Sequence, residues 1–145
     1  MEPIQPFQRI NLSDLSQRMN EHYQNIVVNE INESCLRLAV FTGEYPWHRH
    51  PESDELFLVL EGELTIDFTD QESATLAPND LFTIPAGRIH RTRSSQRTVN
   101  LCFEHTQATT EFMEEVDLSS QRPAEDQPSV CKTTADPECS QTARG

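Results

Sequence analysis

The chain has 145 residues, which is enough for one hydrophobic core but short for two. Its formal net charge of -13 repels phosphate backbones and anionic lipids, so neither nucleic acid nor a membrane is expected as a partner. The polar N-terminal stretch lacks the apolar segment of a secretion signal, and the longest apolar run, residues 56–60, is too short to span a bilayer. Together these features predict a soluble cytoplasmic protein.

Residues 1–24 are predicted to form a lead-in that contains one short helix. Leu12, Leu15 and Met19 recur at helical spacing, and Ser13 is a candidate N-cap.

From residue 25 to residue 116 the pattern changes to short strands separated by turn residues such as Gly, Pro and Asn. Short strands at close and even spacing predict an all-β domain, either an antiparallel barrel or a sandwich. The predicted strands span residues 26–31, 35–42, 45–50, 55–60, 63–68, 72–77, 81–84, 90–93 and 98–104.

Alternation within these strands predicts one dry and one wet face. Leu64 and Ile66 alternate with polar residues, and Leu36 and Leu38 flank Arg37 in the same way. Residues 56–60 are instead apolar on both faces and need a cover on both. The N-terminal segment or a second subunit could provide the outer cover, and a homodimer is favoured because symmetric dimers are the commonest oligomers.

After Glu104 the alternation fades. Phe112, Met113 and Val116 predict one helical turn beside the barrel. Residues 117–145 are rich in Ser, Thr, Gln, Pro and acidic residues and cannot bury enough surface to offset their ordering entropy, which predicts a disordered acidic tail.

Histidines in the predicted strands point to a metal site. His48 and His50 are two residues apart, so in a strand their side chains share a face. The break at residues 51–54 resets the alternation, so that Glu55 opens the next strand on the same face as Phe57, where an unpaired carboxylate is costly to bury. A metal ion would remove that cost.

A fourth candidate ligand, His90, follows a predicted bend. Pro85 restricts φ and Gly87 permits a conformation closed to other residues, so the chain can turn sharply and direct His90 into the barrel.

The first of two motifs in this region resembles the first motif of the cupin family, G-x5-H-x-H-x3,4-E-x6-G. The matching residues are Gly43, His48, His50, Glu55 and Gly62, with the first gap one residue short.

The second motif resembles the second cupin motif, G-x5-P-x-G-x2-H-x3-N. Asn79 replaces the first Gly, which is tolerable because Asn also accepts left-handed backbone geometry, and Ser94 replaces the final Asn. Pro85, Gly87 and His90 match.

This resemblance covers about residues 35–104. It implies a single conical antiparallel β-barrel, the double-stranded β-helix or jelly roll of the cupins, over residues 25–116. It also implies one divalent metal ion inside the barrel, held by His48, His50, Glu55 and His90. Mixed nitrogen and oxygen ligands suit iron, manganese, zinc, nickel or copper without distinguishing them.

Expectations for the surroundings of the site follow from strand alternation. Phe57, Val59, Ile66, Phe68 and Ile84 are expected to line an apolar pocket that takes a small, partly apolar or planar ligand.

Other side chains near the predicted ligands are expected to point outward. Arg91 and Arg93 alternate with His90, and Arg49 alternates with the first two histidines. Tyr45 and Trp47 are expected to face away from the metal.

Three functions are compatible with this site. The first is a metal-dependent enzyme for a small organic substrate, either a dioxygenase or an isomerase, although no general base is identifiable. The second is a non-catalytic metal-binding, small-molecule-binding or sensor protein, slightly favoured by the lack of inward polar residues other than the ligands. The third is a sugar-phosphate isomerase, which requires inward-facing cations. No dinucleotide fingerprint or phosphate-binding loop indicates an organic cofactor.

Overall fold

The computed structural model describes residues 4–114, and the predicted tail, residues 117–145, lies outside the described residues. Within residues 4–114, no helix has the length and apolar character needed to cross a bilayer. The elements in chain order are α1 (Leu12–Gln17), β1 (Tyr23–Ile31), β2 (Ser34–Glu44), β3 (His48–Arg49), β4 (Glu55–Glu61), β5 (Leu64–Phe68), β6 (Ala74–Leu76), β7 (Leu81–Ile84), β8 (His90–His105) and β9 (Glu111–Phe112).

The strands form one antiparallel sheet that curls into a half-barrel around the long strand β8. One edge of β8 pairs with β2, while its other edge pairs with β4 over residues 99–104 and with β5 over residues 90–93. The pairing register shifts between Phe41 and Gly43, and such irregularities bend a sheet. The prediction of an all-β antiparallel fold is confirmed. The two strands predicted over 90–93 and 98–104 are halves of one strand.

The N-terminal helix is present where it was predicted, but its cap is different. The side chain of Asn11 accepts a hydrogen bond from the backbone N–H of Asp14, at 2.9 Å, and Asn11 has an extended backbone. Ser13, the predicted cap, lies inside the helix.

Two hydrophobic cores lie on opposite faces of the sheet. The inner core lies within the curl of the sheet, and its buried residues are Phe41, Phe57, Val59, Leu64, Ile66, Leu76, Ile84 and Cys102. The outer core lies between the sheet and helix α1, and its buried residues are Leu15, Met19, Val28, Leu38, Val40, Val99 and Leu101.

The outer core explains why residues 56–60 are apolar on both faces. Leu58 and Leu60 pack against the outer core, so the N-terminal segment covers this side of β4. A second subunit is therefore not needed as a cover, and the homodimer stays a prediction.

The same arrangement reverses the faces expected for β2. Leu36 and Leu38 belong to the outer side of the sheet, under α1, whereas Arg37 faces the interior of the curl. The face that the sequence pattern marks as wet is thus the wall of an internal cavity.

The helical turn predicted over Phe112 and Met113 is wrong. Strand β9 pairs with β3, with His48 opposite Phe112, and the backbone N–H of Met113 donates to the carbonyl of Trp47 at 3.0 Å. This segment finds its backbone partners in another strand and needs no local helix. Val116, the third residue of the predicted turn, lies outside the described residues.

Candidate metal centre

The four predicted ligands meet at one place in the half-barrel. His48 of β3 pairs directly with His90, the first residue of β8, and their ring centroids are 4.3 Å apart. His50 follows β3, and Glu55 begins β4. All four are buried, with 4%, 8%, 6% and 1% exposure for His48, His50, Glu55 and His90.

The ligand atoms are close enough to share one ion. One nitrogen from each histidine and one oxygen from Glu55 all lie within 4.8 Å of one another. Glu55 Oε1 lies 3.1 Å from His50 Nε2 and 3.2 Å from His90 Nε2. A metal bound at about 2.1 Å to such atoms separates them by roughly 3–4 Å, so the cluster has dimensions that suit a single ion.

Backbone carbonyls orient all three imidazoles. Because a carbonyl can only accept a hydrogen bond, each Nδ1 carries the proton and each Nε2 of a neutral ring presents a lone pair to the centre of the cluster. The Nδ1 atoms of His48, His50 and His90 lie 2.7, 3.0 and 3.0 Å from the carbonyl oxygens of Pro46, Thr109 and Arg88.

This orientation leaves electron pairs facing one another without a cation. His50 Nε2 is buried, and despite its short distance to Glu55 it has no partner of hydrogen-bonding geometry among residues 4–114. Three nitrogen lone pairs and a carboxylate in one buried space repel one another unless a positive charge lies between them. The residues present therefore fit a divalent metal ion, and the cluster could hold one.

The pKa values of the metal-free site reflect the same need for a positive charge. Burial, with a contribution from His90, lowers the pKa of His48 to about 4. Burial also opposes the protonation of His50, but its interaction with Glu55 outweighs this and raises the pKa of His50 to about 9. Burial would raise the pKa of Glu55, but the imidazoles of His50 and His90 beside its carboxylate hold that pKa well below its usual range.

Two neighbours fix the ligands in place. The thiol of Cys102 donates a hydrogen bond to Glu55 Oε2 at 2.9 Å, which leaves Oε1 for the histidines. The backbone N–H of Gly87 donates to the carbonyl of His50 at 2.8 Å.

Two backbone conformations in the second motif agree with the sequence analysis. Gly87 has a φ of +83°, the left-handed geometry predicted for the bend before His90. Asn79 also has a positive φ, +76°, as expected for a residue that replaces Gly.

A cavity of about 280 Å³ adjoins the cluster, and its lining differs from the expected apolar one. Of the predicted lining residues only Phe57 contacts it, because Val59, Ile66 and Ile84 fill the inner core. Phe68 packs against that core as well. The polar residues that line the cavity besides the ligands include Tyr23, Asn25, Arg37, Tyr45, Thr92, Asn100 and Glu104.

Tyr45 faces the site, contrary to the expectation. Its ring lies edge-on to His48, with centroids 5.1 Å apart, and stacks on Tyr23 with centroids 5.6 Å apart. The predicted alternation fails because residues 45–47 are not in a strand and Pro46 interrupts the pattern.

The arginines near His90 point outward as predicted, and they have a defined partner. Arg91 and Arg93 donate hydrogen bonds to Asp67 on β5 at 2.9 and 2.7 Å. The guanidinium of Arg91 also lies over the Trp47 ring, 5.0 Å from its centroid. Arg49 is paired with Glu111, likewise on the outer side.

Sequence reasoning missed Asn100 and Glu104 as residues of the site. They lie two residues before and two residues after Cys102 on β8, so all three side chains share the face that lines the cavity. Oxygen and sulfur atoms of Glu55, Cys102 and Glu104 lie within 4.8 Å of one another, which places Glu104 beside the metal ligands. The alternation of polar residues within an apolar strand was the available signal.

Comparisons with known proteins agree with this geometry. A family model for the cupin domain matches residues 37–102. The uncharacterized protein YdbB of Bacillus subtilis (strain 168) is 58% identical over 105 residues, which cover 72% of this chain and 93% of that protein.

Two solved structures also resemble this chain in fold and in sequence. A cupin-2 domain containing protein from Shewanella frigidimarina is 33% identical, with a TM-score of 0.63 over 66% of this chain and 93% of that one. Protein NMB1881 from Neisseria meningitidis is 28% identical, with a TM-score of 0.62 over 68% of this chain and 99% of that one. The half-barrel, the two motifs and these relatives show that the chain belongs to the cupin-2 domain family.

Proposed function

We propose that this protein binds one divalent transition-metal ion through His48, His50, Glu55 and His90, and binds a small organic molecule in the adjoining cavity. The observation that supports this most directly is the orientation of the three imidazoles. Each has its Nδ1 engaged by a backbone carbonyl, so three Nε2 lone pairs and one carboxylate converge in a buried space.

Some residues of the chain would hold the ion, and others would contact the ligand. When bound, the ion would act as a Lewis acid toward an oxygen atom of the ligand. Cys102 fixes the unused oxygen of Glu55, and Tyr23 and Tyr45 form a stacked aromatic wall of the cavity. A cavity of about 280 Å³ admits only a small molecule.

Elemental analysis of the purified full-length protein tests the metal site. We expect about one equivalent of iron, manganese, zinc, nickel or copper per chain, and less than a tenth of that in His90→Ala and Glu55→Gln. His22→Ala is the matched control, because His22 is exposed and outside the cluster. Circular dichroism establishes that each variant is folded. Full metal content in folded His90→Ala and Glu55→Gln would refute the site.

A metal-dependent enzyme, either a dioxygenase or an isomerase, is the second candidate. The argument for a non-catalytic protein depended on a lack of inward polar groups, and Arg37, Asn100 and Glu104 line the cavity. Glu104 places a second carboxylate beside the ligands, where an enzyme needs a proton acceptor. Arg37 is also the kind of inward cation that a sugar-phosphate isomerase requires, but its charge is matched by Glu104 at 3.1 Å.

Oxygen uptake and proton exchange separate the enzyme from the binding protein. The metal-loaded protein is incubated with small organic substrates, and oxygen consumption or solvent deuterium incorporation into the substrate is followed. An enzyme shows turnover that disappears in His50→Ala. Ligand binding without turnover would instead establish the non-catalytic alternative, a sensor or a binding protein.

A further inference from the structure

Two buried oxygen atoms on the floor of the cavity have no hydrogen-bond partner among the described residues. They are Asn100 Oδ1 and Glu104 Oε1. Asn100 is only 1% exposed, and both side chains line the cavity. Leaving a buried acceptor unsatisfied costs about 1–3 kcal/mol, so such atoms in a cavity wall indicate an occupant, either water or a ligand, that supplies the missing hydrogen bonds.

The strand neighbours of these two oxygens do not offer them a hydrogen-bond donor, so a donor must come from the cavity. Asn100 lies between Ala39 on β2 and Val59 on β4, neither of which has a polar side chain. The other oxygen of Glu104, Oε2, accepts a hydrogen bond from Arg37 Nε at 3.1 Å. Oε1 therefore remains available.

We propose that Asn100 and Glu104 form a subsite for hydroxyl groups of a small polyhydroxylated ligand. The subsite rests on the proposed function, because the same ligand would occupy the cavity beside the metal ligands. Both oxygens are acceptors, so the ligand must donate. Arg37 already matches the charge of Glu104, which favours a neutral hydroxyl over an ammonium group.

The spacing along β8 adds a requirement on the ligand. Asn100 and Glu104 are four residues apart on one strand, so their Cα atoms are separated by roughly 13 Å. The two acceptors therefore belong to separate parts of the cavity wall, and the ligand must offer them more than one hydroxyl group. The stacked rings of Tyr23 and Tyr45 provide an apolar wall for its carbon skeleton.

Ligand-observed NMR with carbon-matched probes tests this subsite. Xylitol and sorbitol, which are neutral, are compared with 1-pentanol and 1-hexanol on the metal-loaded full-length protein. We expect at least one polyhydroxylated probe to bind at least tenfold more tightly than its carbon-matched alcohol. Equal or weaker binding of all the polyhydroxylated probes would overturn the proposal.

Asn100→Leu separates a binding role from a structural one. We expect the variant to lose the tenfold selectivity while its melting temperature stays the same or rises, because the substitution removes an unsatisfied buried group. The matched control is Asn29→Leu, since Asn29 Oδ1 is also buried without a partner within residues 4–114 but lies outside this cavity. The control should keep the selectivity. Selectivity retained in folded Asn100→Leu, whatever its melting temperature, would overturn the proposal.

Metal content, measured on the same samples, distinguishes a failure of the hydroxyl subsite from a failure of the proposed metal-binding function. If the wild-type protein holds metal but shows no selectivity, only the hydroxyl subsite fails. If the protein retains no metal after incubation with it and still prefers polyhydroxylated probes, the subsite stands and the metal-binding function fails.

Discussion

Glu55 and Glu104 lie directly opposite each other on strands β4 and β8, and both side chains line the same cavity. Like charges in this position destabilise a sheet. Arg37 binds Glu104 at 3.1 Å, whereas Glu55 lies against the imidazoles of His50 and His90, at 3.1 and 3.2 Å, where the proposed metal ion would supply the positive charge. Burial and the nearby Glu55 nevertheless raise the pKa of Glu104. The site therefore depends on positive charge beside each of two neighbouring acids, one buried and one partly buried.

Replacing Arg37 with Met should destabilise the protein by about 1 kcal/mol, because it leaves Glu104 buried without a cation and facing Glu55. Adding Glu104→Gln should recover most of that loss, because the uncompensated charge is gone. Urea unfolding of the two single variants and the double variant gives the coupling energy.

The control cycle uses Arg88→Met and Asp70→Asn, which remove an ion pair whose carboxylate is much more exposed than that of Glu104. We expect a coupling of less than about 0.5 kcal/mol there. Additive effects at Arg37 and Glu104, with no more coupling than in the control, would contradict the role assigned to this pair.

Metal binding should stabilise the fold, because the ligands come from three strands that are separate in the unfolded chain. At a metal concentration about 100 times Kd, linkage predicts about 2.7 kcal/mol of stabilisation and a rise in melting temperature on the order of 10 °C. Calorimetry with and without added metal measures the shift, and a chelator should reverse it. His90→Ala should show no shift. An undiminished shift in that variant would place the stabilising ion somewhere else.

Local geometry indicated each of the four candidate ligands, and the resemblance to the two cupin motifs joined them into one site. Two histidines separated by one residue share a face of any strand, and a break before Glu55 allowed its side chain to join them. The bend that directs His90 could also be predicted, because Gly87 and Pro85 have restricted or unusual backbone conformations. These inferences needed only residues that are close in sequence or part of one motif.

The polar lining of the cavity could not be predicted in this way. Alternation separates two faces of a strand but does not say which face is internal. On β2 that choice is made by α1, which covers Leu38 and turns Arg37 toward the cavity. Tyr45 was misplaced for a related reason, since residues 45–47 leave the strand before the alternation reaches them.

Cys102 should act as a positioning residue for Glu55. Cys102→Ala removes the hydrogen bond to Glu55 Oε2, and we expect metal affinity to fall by about 10–100-fold, as is typical when a ligand loses its supporting contact. Cys102→Ser keeps a donor and should bind metal more tightly than the alanine variant. Competition with a chelator of known affinity measures each value.

The matched control for this effect is Cys35→Ala, which truncates another buried cysteine that is not part of the metal cluster. It should lower stability without changing metal affinity. Equal metal affinities in Cys102→Ala and Cys35→Ala would show that the contact with Glu55 does not position the ligand.

Asp67 should make the protein sensitive to acid independently of the metal site. The hydrogen bond from Arg93, with those from Ser73 and Arg91, holds the pKa of this buried carboxyl well below its usual range. A carboxyl whose pKa is lower in the folded state stabilises the fold above its unfolded pKa of about 3.9, and that contribution is lost as the pH falls toward the folded value. Asp67→Asn should therefore cost about 1–2 kcal/mol at pH 7, after allowing for the exposure of Arg93.

Urea unfolding at a series of pH values between 7 and 3, with a chelator present throughout, tests this origin of acid sensitivity. The difference between wild type and Asp67→Asn should be constant down to about pH 5 and shrink below about pH 4, because only the wild type has the carboxylate to lose. Asp70→Asn removes an exposed carboxylate that also pairs with an arginine, and it should cost less than about 0.5 kcal/mol at pH 7. A difference between wild type and Asp67→Asn that did not depend on pH would mean that packing, rather than the charge of Asp67, stabilises this part of the sheet.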